Sequence, residues 1–508
     1  MRSVLRLATV VVLALHVACG GGSSNVTRPP DQQSPNIVFI LTDDQALTDV
    51  AYMPQVKALL VDQGMTFQNH YVTLSLCCPS RVTGLRGQFA HNTDIFDNSA
   101  PDGGFSAVYA LGLEQSTVAT WLSAAGYRTA MLGKYLNGYP DTAPSKTYIP
   151  PGWTEWVSPN DGNPYKEYNY TLNVNGTSVP YGATEADYLT DVLSTKAVDF
   201  INRSIDQHPD QPFFLYLASY APHAPATPAP RHANLFPGAK APRTASFNEA
   251  DVSDKPPWVQ AQPLLTATQI ADIDDLYRKR LQSLQAVDEM VKAIVDTLQA
   301  KGQLANTYIF FASDNGFHQG QHRLDSGKMT AFEEDLRVPL VVRGPGIVAG
   351  SSATAMTANV DYASTFAEIA GATAPSFVDG RSLVPVLAGQ SPADWRQALL
   401  LEHKTVKNPD ENLLARNGTL EPSDPFEKGA GGSRPDIAPF SGLRTVDGKT
   451  YVEYEDGSFE LYDNQTDPAQ LTNVYSSTPP DRKLQLSRWL GTLRGASGTT
   501  LRQAERSP

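Results

Sequence analysis

The stretch NIVFILTDD at residues 36–44 sets the fold class of this chain. Its first seven residues form a continuous apolar and β-branched run, which is typical of a strand buried on both faces of a parallel sheet. The run ends at two acidic residues, Asp43 and Asp44. Comparable apolar runs occur at residues 127–132, 212–219, 307–313 and 336–343.

Apolar residues at helical spacing separate these strands. They predict helices at residues 115–125, 184–201 and 269–300. An alternation of strands and helices predicts an α/β fold with helices on both faces of the sheet.

The pattern changes after about residue 390. A polar stretch at 404–440 precedes a hairpin pattern at 443–462 and a helical pattern at 481–494. We therefore expect a main domain at residues 36–390 and a C-terminal subdomain at residues 391–508, with a small antiparallel sheet and a closing helix.

The composition excludes several classes of protein. The 508 residues include 40 basic and 53 acidic side chains, and the net charge of −13 argues against nucleic acid as a partner. An apolar content of 41% excludes disorder of the whole chain. Three cysteines, Cys19, Cys77 and Cys78, are too few for a disulfide framework.

The N-terminus has the pattern of an export signal. Residues 1–18 carry two arginines and an apolar run that is too short to span a membrane. A small residue followed by Cys19 resembles a bacterial lipoprotein signal, which implies a lipid on Cys19 and residues 19–35 as a flexible tether. We expect an exported lipoprotein of the cell envelope, in the periplasm or at the cell surface; plain secretion and an uncleaved anchor are the alternatives.

Polar clusters follow four of the predicted strands: Asp43 with Asp44, Lys134, His223, and Asp314 with Asn315. The carboxyl ends of parallel strands lie at one edge of a sheet, so we expect these clusters to meet there. The two acidic clusters offer only oxygen ligands, which Ca²⁺ and Mg²⁺ prefer, and four side-chain ligands favour Ca²⁺. The alternative is that each cluster forms an ordinary turn.

The segment LCCPSRVTGLRG at residues 76–87 carries the most specific chemical signal. Cys77 precedes a predicted helix, whose N-terminal amides favour an anion, and Arg81 lies one turn further on. This arrangement indicates a nucleophile. Two buried cysteines with a packing role are the alternative interpretation.

The same segment resembles the signature of the type I sulfatases, in which the first Cys of CxPSR is oxidised to formylglycine. The spacing to Gly87 also matches. Further motifs similar to those of this family occur in order: LTDDQ at 41–45, LGKY at 132–135, APHAP at 221–225, SDNG at 313–316 with Lys328 downstream, DGRSL at 379–383, and ELYD at 460–463. The resemblance covers about residues 36–475. It implies a large mixed, mostly parallel sheet between helices, as in alkaline phosphatase.

The resemblance also implies roles for individual residues. Asp43, Asp44, Asp314 and Asn315 would bind Ca²⁺ together with formylglycine at Cys77, and Arg81 would hold the nucleophile. The residues that would contact the sulfate oxygens are Lys134, His223 and Lys328. Fixed cations of this kind stabilise the charge that develops as the S–O bond breaks.

The implied reaction is hydrolysis of a sulfate ester. One hydroxyl of the formylglycine hydrate attacks sulfur and releases the alcohol; the second hydroxyl then expels sulfate and restores the aldehyde. A serine at position 77 lacks the second hydroxyl, so the reaction would stop at the covalent sulfate ester. A formylglycine-generating enzyme is the implied partner that modifies Cys77.

One departure from the arylsulfatase pattern narrows the range of expected substrates. Many arylsulfatases carry His two residues after the Lys of GKxH, whereas this chain has Leu136. The local sequence is instead similar to N-acetylglucosamine-6-sulfatases and extracellular heparan 6-O-endosulfatases. We therefore expect a sulfated glycan substrate, with the 6-O-sulfate of N-acetylglucosamine as the group removed. Proton donation is assigned to His223, with His318 and His322 as weaker candidates.

For three residues, an ordinary structural role is an alternative to a role in the site. His91 could line the pocket or make a purely structural hydrogen bond. Lys328 could contact the sulfate or lie at the surface. Cys78 is expected to have a packing role. The segments 137–182 and 221–258 are predicted to be long loops that shape the substrate site.

Two other functions are compatible with the sequence. One is an arylsulfatase or a phosphonate or phosphodiester hydrolase, because pocket loops rather than the fold set the substrate. The other is a non-catalytic surface protein that binds sulfated glycans.

Overall fold

The computed structural model describes residues 34–404 and 437–507. The predicted signal peptide, Cys19 with its predicted lipid, and nearly all of the tether lie outside these residues. Most of the polar stretch at 404–440 does so too. Among the described helices, none is long and apolar enough to cross a membrane.

A ten-stranded mixed sheet forms the centre of the fold, with the order β12-β2-β11-β8-β1-β7-β3-β4-β5-β6. Its strands are β1 Asn36–Thr42, β2 Met65–Tyr71, β3 Arg128–Gly133, β4 Glu155–Gly162, β5 Tyr170–Val174, β6 Thr177–Tyr181, β7 Phe213–Ala218, β8 Thr307–Ser313, β11 Leu340–Arg343 and β12 Ser351–Ala358. The five strands β8, β1, β7, β3 and β4 run parallel to one another. The expected large, mostly parallel sheet is confirmed.

Helices lie between these strands along the chain and after the last of them. They are α1 Pro54–Val56, α2 Cys77–Arg86, α3 Gly104–Ala110, α4 Val118–Ala124, α5 Leu189–Gln207, α6 Pro257–Gln260, α7 Ala267–Ala300, α8 Glu333–Leu336, α9 Tyr362–Ala370, α10 Val384–Leu387, α11 Pro480–Arg494 and α12 Gly498–Ala504. The two-residue strands β9 His318–Gln319 and β10 Ser326–Gly327 form a short antiparallel ladder.

Alternate residues of β1 pack on opposite faces of the sheet. Ile37, Phe39 and Leu41 belong to a core shared with α2, α4 and α9. Val38 and Ile40 belong to a second core, shared with α5 and α7. Every residue of β1 is buried, which explains why its sequence is apolar throughout rather than alternating.

The C-terminal region adds a separate four-stranded antiparallel sheet. Its strands are β13 Ala398–His403, β14 Phe440–Thr445, β15 Lys449–Tyr454 and β16 Phe459–Asp463. Helix α11 covers this sheet with Leu486, Trp489, Leu490 and Leu493. The predicted hairpin and closing helix are both present.

Two predictions about local structure are wrong. Residues 137–182 are not a long loop, because they contain β4, β5 and β6, which extend the main sheet to one edge. The predicted strand at 336–343 is shorter, since Leu336 ends the helical turn α8 and β11 begins at Leu340. The segment 221–258 does consist mainly of loops.

Candidate active site

The predicted polar clusters meet at one edge of the main sheet. Strands β8, β1, β7 and β3 are adjacent and parallel, so their carboxyl ends point the same way. The residues that follow these ends are Asp314 and Asn315, Asp43 and Asp44, His223, and Lys134. All six side chains are at least nine-tenths buried.

Cys77 is the first residue of α2 and lies at the centre of this group. Its Sγ is 3.4 Å from Asp43 Oδ1, and Lys328 Nζ approaches Sγ at 3.0 Å. Burial raises the pKa of the Cys77 thiol well above its usual value, although Lys134 and Lys328 act in the opposite direction. The unmodified thiol is therefore a weak nucleophile in this site.

The acidic residues contact one another directly. The backbone N–H of Asp44 donates to Asp314 Oδ1 at 3.0 Å, and Asn315 Nδ2 donates to Asp44 Oδ1 at 2.6 Å. Asp44 has a φ of 64°, a conformation that non-glycine residues rarely adopt. Strain of this kind is common at functional sites and turns the carboxylate toward its neighbours.

This group fits a hard divalent cation. In the described part of the chain, Asp44 Oδ2 and Asn315 Oδ1 are buried oxygens without a hydrogen-bond donor. Ligand atoms of Asp43, Asp44, Cys77 and His223 also lie within 4.8 Å of one another. Buried oxygens that lack a donor are costly unless a cation compensates for their lost hydration.

Arg81 links the acidic group to the strand end that carries Lys134. Its Nε and Nη2 both lie 2.9 Å from Asp314 Oδ2, and its Nη1 donates to the carbonyl of Lys134 at 2.8 Å. Burial disfavours the charged guanidinium, but Asp314 and Asp43 outweigh it and raise the pKa of Arg81. Arg81 therefore stays charged and fixes two sides of the site.

Lys134 follows Gly133, the last residue of β3, and its Nζ lies 2.7 Å from Asp43 Oδ2. Gly133 has a φ of 100°, and a Cβ at this position would lie 1.9 Å from the carbonyl oxygen of Ala218. Only glycine fits this close approach between β3 and β7. The glycine of the LGKY motif thus determines where Lys134 points.

Burial and neighbouring charges shift the pKa values of two carboxylates in the site. Burial opposes ionisation of Asp43, but Lys134, His223 and Arg81 together lower its pKa well below the usual value. Burial and the neighbouring Asp43 raise the pKa of Asp314 to about 6, against the opposing effect of Arg81. The ionised form is therefore favoured more strongly at Asp43 than at Asp314.

His223 and Lys328 complete the group. His223 Nδ1 lies 2.8 Å from the carbonyl of Ala224, so Nδ1 donates and Nε2 faces Asp44 Oδ2 at 3.6 Å. Lys328 is not a surface residue: its side chain is 2% exposed and its Nζ lies 2.7 Å from Asp44 Oδ1.

The other candidate histidines are bonded to carboxylates elsewhere. His318 Nδ1 contacts Asp335 at 2.9 Å, and His322 Nδ1 contacts Glu249 at 2.6 Å. His91 contacts Glu402 at 2.8 Å and the carbonyl of Ala496 at 3.0 Å, as its structural alternative predicts. Cys78, the second residue of α2, lies in the hydrophobic core.

Sequence reasoning missed one residue that organises the site, Arg280 of α7. Its guanidinium donates to the carbonyls of Asp44 and Pro222 and packs 4.2 Å from the ring centroid of Phe317. Three loops that carry acidic or histidine residues of the site are therefore joined by one side chain. Because Arg280 contacts mainly backbone atoms and lies in a charged helical segment, no local pattern marks it.

The signature helix is also fixed at its C-terminal end. Gly87 caps α2 with a φ of 67°, and its carbonyl accepts hydrogen bonds from the backbone N–H groups of Asp379 and Gly380. The DGRSL motif thus contacts the helix that begins with Cys77.

Several known proteins are similar to this chain. The family model for Sulfatase matches residues 35–372. The chain is 35% identical to human N-acetylglucosamine-6-sulfatase, over 92% of this chain and 86% of the relative. It is 33% identical to an arylsulfatase of Volvox carteri, over 94% of this chain and 77% of the relative.

A solved structure of a protein in complex with its substrate D-glucosamine-2-N,6-O-disulfate is similar to this chain. The TM-score is 0.74 at 25% identity, with 91% of this chain and 98% of the other chain covered. The family match spans all ten strands of the main sheet and the polar group around Cys77, from Asp43 to Lys328. The chain therefore belongs to the sulfatase family and is a sulfuric ester hydrolase.

Proposed function

We propose that this sulfatase removes the 6-O-sulfate of N-acetylglucosamine or a related amino sugar in a sulfated glycan. The observation that carries the proposal is the position of Cys77. The residue that the family signature marks for conversion to formylglycine is surrounded by buried carboxylates and by Lys328 and Arg81.

Cys77 supplies the nucleophile after oxidation to formylglycine. The hydrated aldehyde offers two hydroxyl groups, one to accept the sulfate and one to release it. Since Cys77 is fully buried in the folded chain, a formylglycine-generating enzyme would act on it before folding is complete. Arg81, fixed by Asp314, holds this position in a cationic environment.

Asp43, Asp44, Asp314 and Asn315 would hold the metal ion together with the modified residue 77. Ca²⁺ fits an all-oxygen set of this size better than Mg²⁺, which retains more water. The bound ion supplies positive charge that stabilises the negative charge developing on the sulfate oxygens.

Lys134, Lys328 and His223 would contact the sulfate group from the rim of the sheet. Each lies within ion-pair distance of an acidic residue of the site. In its imidazolium form, with Nδ1–H donating to the carbonyl of Ala224, His223 would also give the Nε2 proton to the leaving oxygen and become the neutral ring, because Nε2 faces the site.

Two findings support a 6-sulfated amino sugar. The relative named N-acetylglucosamine-6-sulfatase aligns over nearly the whole chain, and Leu136 replaces the histidine of the arylsulfatase motif. The similarity to an arylsulfatase at 33% identity favours an aryl sulfate as the second candidate substrate.

We also propose export with lipid attachment at Cys19, which would hold residues 36–390 and 391–508 near a membrane. Support comes from the signal-like residues 1–18 and the Gly- and Ser-rich segment that follows Cys19. Metabolic labelling with a radioactive fatty acid tests it. Label is expected in the wild type and lost in Cys19→Ala.

The substrate proposal is tested with protein co-expressed with a formylglycine-generating enzyme. Mass spectrometry is expected to show an aldehyde in place of the Cys77 thiol, and sulfate release from 6-sulfated N-acetylglucosamine is expected to exceed release from an aryl sulfate. Cys77→Ala removes turnover, and Cys77→Ser is expected to accumulate a covalent sulfate ester. Equal or faster turnover of an aryl sulfate or a phosphonate monoester would refute the substrate choice, and retained glycan binding without any turnover would favour the non-catalytic alternative.

A further inference from the structure

We propose that Tyr165 is a positioning residue that orients both Lys134 and His223 in the active site. The inference rests on the proposed function, in which these two side chains face the sulfate group. Tyr165 belongs to the segment that connects β4 and β5, and no motif of the sequence marks it.

The ring of Tyr165 contacts both cationic side chains. Lys134 Nζ lies 4.9 Å from its ring centroid, and the ring of His223 lies 4.5 Å away at an interplanar angle of 53°. Tyr220 packs edge-on against Tyr165 at 4.9 Å and is itself 5.9 Å from Lys134 Nζ. The two tyrosines thus form an aromatic wall, defined here as Tyr165 and Tyr220.

The local structure brings this wall to the site. Tyr165 lies in a single 3₁₀ turn, Pro164–Lys166, at the carboxyl end of β4, which is the neighbour of β3 in the sheet. Tyr220 follows β7, the other neighbour of β3. Lys134 follows β3 itself, so the two rings approach it from both flanking strands. Tyr165 is only 3% exposed.

An aromatic ring restrains a lysine side chain in a different way than a carboxylate does. Asp43 contacts the Nζ of Lys134 at 2.7 Å, at the end of a four-carbon stem with several rotatable bonds. A ring within about 6 Å attracts the ammonium group and excludes water from one side of it. The same ring limits rotation of the His223 imidazole, which is also held by the bond from Nδ1 to Ala224.

The competing explanation is that Tyr165 only fills space in the core that it shares with Tyr220. A packing role would be met by an aliphatic side chain of similar volume, and its loss would change stability rather than the rate constants. An orienting role requires the ring face but not the phenolic oxygen for the contacts described. The two explanations therefore differ in which substitutions preserve activity.

The test compares Tyr165→Phe, Tyr165→Met and Tyr165→Leu in the full chain carrying formylglycine. Tyr168→Leu is the matched control, because Tyr168 lies in the same connection but packs against Tyr188 at 5.5 Å. We measure kcat and KM for 6-sulfated N-acetylglucosamine and for nitrophenyl sulfate, the Tm of each variant, and the Kd for inorganic sulfate by calorimetry.

We expect the Phe variant, which keeps the ring contacts, to lose much less kcat on the sugar substrate than the Met and Leu variants, which should lose about tenfold. The loss should be smaller on nitrophenyl sulfate, whose leaving group needs less help from a proton donor. Tyr168→Leu should lower Tm without changing the ratio of the two kcat values. The Met and Leu variants should also bind inorganic sulfate more weakly than the wild type.

Unchanged kcat and sulfate affinity in Tyr165→Met, or an equal loss in the Phe variant, would overturn the inference. A proportional loss on both substrates that tracks Tm would assign Tyr165 to packing and would overturn it too. A wild type that turns over neither substrate would contradict the proposed function, whereas the sulfate affinities of the variants would still test the positioning role.

Discussion

Gly133→Ala is the sharpest single test of how the fold positions a catalytic group. The substitution adds one methyl group and removes no functional atom. A Cβ at this position must move from 1.9 Å to at least 3.0 Å from the carbonyl oxygen of Ala218, so β3 and β7 must separate by about 1 Å. Lys134 is the next residue, and a misplacement of about 1 Å is expected to lower kcat/KM by about 100-fold.

Gly126→Ala provides a control within the same stretch of chain. Gly126 precedes β3 and has a φ of 89°, close to the 100° of Gly133, but a Cβ there would meet nothing within 4 Å. Both substitutions cost about 1–2 kcal/mol of stability through the positive φ, and the Gly133 variant alone carries the steric clash. Steady-state kinetics and thermal melts compare the two variants. Equal kcat/KM in both would refute the argument that Gly133 aims Lys134.

Three other predictions follow from buried groups. Burial disfavours the charged form of His91, but Glu402 outweighs it and raises the pKa of His91 from its ordinary 6.5 to about 9. The stability that this pair contributes is therefore complete below about pH 6.5 and is lost as pH rises through about 9. Thermal melts at a series of pH values should show a weaker pH dependence in Glu402→Gln. Arg396 is fully buried and bonded to both oxygens of Asp361, so Arg396→Met should cost about 3–5 kcal/mol in urea unfolding; a loss below about 1 kcal/mol would contradict this. Removing divalent cations with a chelator should lower Tm and abolish turnover, and added Ca²⁺ should restore both, with about 2.7 kcal/mol of stabilisation at 100 times Kd.

The sequence predicts the centre of the sheet well because burial leaves a local pattern there. Residues of β1 face two hydrophobic cores and are apolar throughout, so the strand is recognisable without its neighbours. The polar residues after β1 and β8 are brought together by strand adjacency, which follows from the parallel arrangement.

The edge of the sheet could not be predicted in the same way. Strand β6 lies at the edge, contains Pro180 and has no buried residue, whereas β4 lies between β3 and β5 and its Pro159 is next to a shift in the register with β5. Edge strands need no continuous apolar face, and proline is tolerated in edge strands and at bulges. Their sequences therefore look like turns, which is why residues 137–182 were expected to form a loop.

Arg280 has a consequence for how loops of this site can change. It bonds to the carbonyl oxygens of Asp44 and Pro222 rather than to their side chains. A carbonyl is present whatever residue occupies the position, so these two hydrogen bonds do not use the side chains of Asp44 and Pro222. Substitutions elsewhere in these loops can therefore alter substrate specificity while Arg280 of α7 continues to hold the loop backbones in place. Because Arg280 is buried and holds the loop backbones, the loops at this rim of the sheet can change one at a time.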